Sequence, residues 1–144
     1  MAVLVSDTSI IIDLERGNLL EDLFRLPFEF AVPDLLFRNE LAGALGHRLV
    51  ALGLRIEELL PEELARAIAI RREQARLSTP DTFAFALAEQ RAWSLLTGDG
   101  ALRELAKSTG VATHGVLWIC DCFAEHEIVP NDRLSASLQS IFEH

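Results

Sequence analysis

Four carboxylates are set apart by where they fall in the chain: Asp7, Glu40, Asp81 and Asp99. Asp7 ends a short apolar run, Ala2 to Val5, and leads at once into Thr8 and Ser9. Ser6-Asp7-Thr8-Ser9 thus joins a buried strand to the capping chemistry of a helix start. Asp99 repeats the arrangement after the run Trp93 to Thr97. Glu40 shares one face of a helical stretch with Leu36, Phe37, Gly43 and Ala44, an apolar setting that is costly for an unpaired charge. Asp81 follows Ser78-Thr79-Pro80 in the first turn of another helix, with Ala84, Phe85 and Ala88 on its face. Each acid alone has an ordinary explanation. Asp7 is a good N-cap, Asp99 suits the Gly-Asp-Gly turn, Asp81 complements a helix dipole, and Glu40 can sit at the margin of an apolar stripe. Four acids from four segments share one explanation, a hard divalent cation held by oxygen ligands. No Cys or His accompanies these motifs, which selects Mg2+ or Mn2+ over Zn2+.

The elements that must position these acids follow from hydrophobic periodicity and from helix punctuation. Strands are predicted at 2–5, 28–32, 54–59, 93–97 and 111–113, the third edge-like because it is polar on one face. Helices are predicted at 10–16, 19–26, 34–49, 61–77, 80–91, 101–107, 115–127 and 132–142. Strands alternating with helices imply an α/β three-layer sandwich, with a central, mostly parallel five-stranded sheet covered on both faces. Asp7 and Asp99 then lie at the C-terminal edge of that sheet, where open α/β sheets bind ligands.

The totals fit this picture. A chain of 144 residues that is 50% apolar and 24% charged is expected to form one domain, spanning 1–144 and ending in a helical pair at about 115–142. Residues 1–5 lack a basic leader region, and no apolar run approaches the roughly 18 residues of a spanning helix. A cytoplasmic protein without a membrane partner is expected. Cys120 and Cys122, two apart and without a second pair, read as buried thiols in a reducing compartment, not as a zinc site. The net charge of −9 argues against a general nucleic-acid coat. It leaves a nuclease open, because clustered carboxylates count as negative charge until cations bind them.

The ordered set of motifs resembles the PIN-domain ribonucleases, most closely the small VapC-type toxins. The matching pieces are the opening strand with Asp7-Thr8-Ser9, Glu40 in PDLLFRNEL, Asp81 in TPDTFAFALAEQ, and Thr97 and Asp99 in LLTGDGALRELA. The resemblance extends over nearly the whole chain. It implies a metal-dependent endoribonuclease that hydrolyses RNA phosphodiester bonds, with Mg2+ or Mn2+ held by Asp7, Glu40, Asp81 and Asp99 as catalytic residues. It also implies that Ser9 and Thr97 are supporting hydroxyls. Where many PIN proteins carry a further acid four residues after the last motif Asp, this chain has Arg103. A second ion is then held weakly until substrate supplies phosphate oxygens.

A toxin of this type would have an antitoxin protein as partner. A PIN nuclease in RNA processing is not separable from a toxin by sequence; a PIN-like protein that binds RNA or protein without cleavage is the other alternative, and the intact four-acid set speaks against it. An acidic chain needs local cations to draw in RNA, and Arg38, His47, Arg48, Arg103 and Lys107 are the candidates. For His47 a structural role is the simpler reading. The apolar residues of the last two helices, Val116 to Phe123 with Leu134, Leu138, Ile141 and Phe142, exceed the needs of one small core, so part of this surface is expected to form a homodimer or to receive a partner's helix.

Overall fold

The computed structural model describes residues 2–142; the ends of the expected span, Met1 and residues 143–144, lie outside the described residues. Five strands, β1 (Val3–Ser6), β2 (Glu29–Pro33), β3 (Arg55–Glu57), β4 (Ser94–Leu96) and β5 (Thr113–His114), form one sheet in the order β3-β2-β1-β4-β5. Every pairing is parallel. The expected edge-like third strand is an edge strand, three residues long. The middle strand is the most apolar: Leu4 and Val5 of β1 are flanked by Phe30 and Ala31 of β2 and by Leu95 of β4, all buried. Continuous apolar runs of this kind belong to strands covered on both faces.

The described residues form nine α-helices: α1 (Thr8–Arg16), α2 (Leu20–Leu23), α3 (Asp34–Leu36), α4 (Ala44–Leu52), α5 (Pro61–Glu73), α6 (Thr79–Arg91), α7 (Gly100–Thr109), α8 (Val116–Glu125) and α9 (Asn131–Phe142). From β1 the chain steps outward to β2 and β3, then returns through α5 and α6 to β4 on the other side of β1. Right-handed crossovers running in opposite directions put their helices on opposite faces of the sheet. Accordingly α1 packs with α2, α8 and α9, while α6 lies across β1, β2 and β4 with α5 and α7 beside it. The strand order reverses between β1 and β4, and that switch point opens a crevice at their C-terminal ends.

The helix expected over 34–49 is broken. After α3 the chain makes a wider π-helical turn, Phe37–Leu41; Ala42 is extended, and Gly43 takes φ +103° before α4 begins. The break is locked from the far side. A Cβ on Gly46 would lie 2.3 Å from the Leu41 carbonyl oxygen, so α4 can seat against the π turn only with glycine there. The interrupted helix removes the apolar face proposed for Glu40, which is exposed, as is His47. A structural role for His47 is therefore not supported by burial.

The C-terminal pair contributes to the core more than was expected. Val116, Ile119, Cys120, Cys122, Phe123, Leu134 and Ile141 are all buried, and Leu117 and Phe142 are the large apolar side chains of the pair left exposed. Both cysteines are free, and burial pushes the Cys120 thiol up to about 11. Asp22, itself buried, ties α2 to α9 through a 2.5 Å bond from Arg133.

Candidate metal centre

Three helix N-termini and the π turn meet at the switch point. α1 starts directly after β1, α7 directly after the loop that follows β4, and α6 runs under both strands with its first turn at the same edge. Asp7, Thr8, Ser9, Glu40, Ser78, Asp81 and Asp99 line one open cleft of about 330 Å3 there. The four acids named from the sequence thus share one cleft. Ser78 and Thr8 join them; neither was among the sequence candidates. Among the described residues no Arg, Lys or His lines the cleft.

Each of the three aspartates caps its own helix with one oxygen. Asp7 Oδ1 accepts the Ile10 N–H at 3.0 Å, Asp99 Oδ2 accepts the Leu102 N–H at 2.9 Å, and Asp81 Oδ2 accepts the Ser78 N–H at 3.3 Å. Ser78 returns a bond by accepting the Asp81 N–H, which closes a reciprocal cap. Capping fixes the orientation of each carboxylate, and the positive ends of the three helix dipoles favour negative charge at this edge. The ordinary explanation and the functional one therefore apply to the same side chains. Among the described residues, the second oxygens of Asp81 and Asp99 and both oxygens of Glu40 make no hydrogen bond.

Asp7 is the buried member of the group, 3% exposed. Besides the Ile10 N–H it accepts the Ser9 hydroxyl at 2.9 Å and, on Oδ2, the Thr97 hydroxyl at 2.5 Å. Burial pushes its carboxyl above the ordinary carboxylate range, against the pull of those three hydrogen bonds, and the negative charge of Asp81 pushes the same way. Thr97, fully buried at the end of β4, is the matching post on the neighbouring strand. Its hydroxyl oxygen also accepts the Asp99 N–H at 3.0 Å.

The donor set fits a hard divalent cation. It is all oxygen, four carboxylates and three hydroxyls, with neither sulfur nor imidazole. The Thr8 hydroxyl oxygen is buried in the cleft without any hydrogen-bond partner, the one such side-chain atom among the described residues. A buried polar atom of that kind requires a partner that the protein does not supply. The acids surround the cleft without closing on its centre: among the described residues no three Asp, Glu, His or Cys side chains are gathered tightly enough to hold an ion unaided.

The basic candidates are placed differently. Arg48 is bound to Glu15 of α1 at 3.0 Å, and Arg38 faces Asp34 at 3.8 Å. Lys107 lies eight residues beyond Asp99 on α7, about 12 Å along the helix. Arg103 is tied to the end of β4 beside Asp99: its Nε donates to the Thr97 carbonyl oxygen at 3.1 Å. No helix of the described residues is long and apolar enough to cross a membrane.

A family model described as DUF3368: PIN domain matches residues 3–142. No curated protein matches the chain.

Proposed function

Since the chain belongs to the PIN-domain family, whose fold is that of a nuclease, we propose that it is a divalent-metal-dependent endoribonuclease acting at the cleft of Asp7, Glu40, Asp81 and Asp99. The observation that carries this reading is the convergence of four carboxylates and an unpartnered buried Thr8 hydroxyl at the switch point of the sheet.

Mg2+ or Mn2+ bound there supplies Lewis acidity, lowering the pKa of a water and neutralising charge on the phosphate. Asp7 holds the fixed position, its carboxylate aimed by Ser9, Thr97 and the α1 backbone. Asp81 and Asp99 each have one oxygen spent on a cap and one open to the cleft. Glu40, exposed on the π turn, contributes from the rim. Asp7, Asp81, Asp99 and Glu40 would hold the ion, and a scissile phosphate would add oxygens to that set. Ion and RNA then bind with reciprocal coupling, each raising the affinity of the other.

The same reading has the protein act in the cytoplasm as the toxin of a toxin–antitoxin pair, with an antitoxin protein as partner and a homodimer as its working form. Growth arrest on expression, relieved by co-expression of the neighbouring gene, tests the first. Light scattering tests the second. The activity itself is tested by incubating the purified chain with single-stranded RNA and Mg2+ or Mn2+, with chelator as control. Internal cleavage that requires the ion supports the reading, and intact RNA under all ion conditions overturns it.

A further inference from the structure

Beside the acidic cleft lies a second, larger groove of about 550 Å3, whose lining includes Gly98, Arg103, His114, Gly115, Trp118 and Phe142. It adjoins the cleft directly, since Gly98 precedes Asp99 and Arg103 is held by the Thr97 carbonyl. Its walls are unlike those of the cleft. The His114 and Trp118 rings are stacked, centroids 3.9 Å apart and planes 15° from parallel, and Phe28 also stacks with Trp118, at 5.8 Å. Phe28 in turn meets Phe30 of the core edge-on. Three rings are thus linked from the core edge outward, with His114 and Trp118 in the groove. Phe142, 67% exposed, stands at the rim.

Arg103 gives the groove its charge. Among the described residues its guanidinium pairs with no carboxylate, and the Nε bond to Thr97 leaves both terminal nitrogens for a ligand. Gly115 makes room for it: a Cβ there would lie 2.5 Å from Nη2 of Arg103. The one acid among the lining residues, Asp13, faces Arg16 at 3.8 Å.

We propose that this groove is the subsite for the nucleotide next to the scissile phosphate, its base stacked on the His114–Trp118 pair and its outer phosphate held by Arg103. The proposal takes RNA as the ligand from the nuclease reading above. Stacked rings with a guanidinium beside them are the chemistry by which single-stranded nucleic acid is held without sequence readout. The cleft itself, lined by acids and hydroxyls alone, repels a polyanion, so the grip on RNA has to come from an adjoining surface, and the groove supplies it.

The test measures binding without cleavage. The full chain, free of divalent ion, is titrated against fluorescent RNA hexamers in which one abasic ribose is moved along the strand. An abasic ribose at one position is expected to weaken binding about tenfold, the loss of a single stacked base. In His114→Ala the intact and abasic hexamers should bind alike. In Gly115→Ala, where the backbone is unstrained and only the end of Arg103 has to move, affinity should fall severalfold while the circular dichroism spectrum stays native. Equal binding of intact and abasic RNA at every position, or native affinity in both variants, overturns the proposal. A chain that binds in this base-dependent way yet never cuts overturns the nuclease reading and leaves the groove standing. One that cuts without base dependence does the reverse.

Discussion

The Thr97 hydroxyl donates to Oδ2 of Asp7 at 2.5 Å while its oxygen accepts the Asp99 N–H at 3.0 Å. One buried hydroxyl thus spans the ends of β1 and β4 and sets the position of two acids at once. Thr97→Val keeps the shape and removes both bonds. Leaving a buried carboxylate oxygen without its donor is expected to destabilise the chain by about 1–3 kcal/mol. Ion affinity should fall about tenfold or more, as for other groups that orient a metal ligand. Thr97→Ser should recover most of both, read by thermal melting and by ion titration; a Val variant with native ion affinity would remove Thr97 from the site.

Asp7→Asn separates chemistry from folding. The amide still caps α1, and it removes a charge that burial and Asp81 both disfavour. Ion-dependent RNA cleavage should drop by a factor of about 100 or more. The melting temperature without ion should stay level or rise, as happens when a site's destabilising charge is removed. Retained cleavage would eliminate Asp7 as a ligand.

Added Mg2+ or Mn2+ should stabilise the native chain. At one hundred times the dissociation constant the gain is about 2.7 kcal/mol. For a chain of this size each kcal/mol raises the melting temperature by roughly 2–4 °C. Glu40 is exposed and, among the described residues, without a partner, so Glu40→Gln should alter baseline stability by no more than about 0.5 kcal/mol. The same variant should shrink the ion-induced shift, as measured by scanning fluorimetry. An undiminished shift would exclude Glu40 from the ligand set.

Away from the cleft, Glu63 accepts two bonds from Arg91, at 2.8 and 3.0 Å, and one from the Leu60 N–H at 2.7 Å. Chiefly through Arg91, its carboxyl lies below the ordinary glutamate range. A group whose pKa is lowered by folding stabilises the fold above its unfolded value, near 4.3, and loses that contribution as pH falls through its folded value. Melting temperature should therefore decline on acidification below about pH 5. Glu63→Gln should flatten that part of the curve. A parallel curve, merely displaced, would mean that other carboxylates carry the acid sensitivity.

Asp7 and Asp99 were legible in the sequence because a strand end and a capping residue are both local patterns, and their meeting follows once the sheet is parallel. Asp81 was legible for the same reason, from Ser78-Thr79-Pro80. Glu40 lines the same cleft as the aspartates, but not by the route its periodicity implied. Its period placed it on the buried side of a continuous helix, whereas the π turn and the positive φ of Gly43 put it on the exposed rim. The signal for the break was Gly43 with Gly46, but a glycine pair does not reveal which carbonyl will press against it. Thr8 was hidden because an unsatisfied hydroxyl is defined only by what fails to surround it. The stack of His114 on Trp118 was missed because it joins a strand residue to a helix residue across the turn at Gly115, where neither period applies.

The caps carry a consequence for how such a chain can change over generations. Asp7 and Asp99 each start a helix and face the cleft, so selection for folding alone protects these two positions after any loss of activity. Asn and Ser satisfy a cap as well as Asp does, but neither supplies the carboxylate. Lineages that abandon cleavage should therefore drift at these two positions towards Asn and Ser and not at random. Glu40, which caps nothing, should be the first of the four to go.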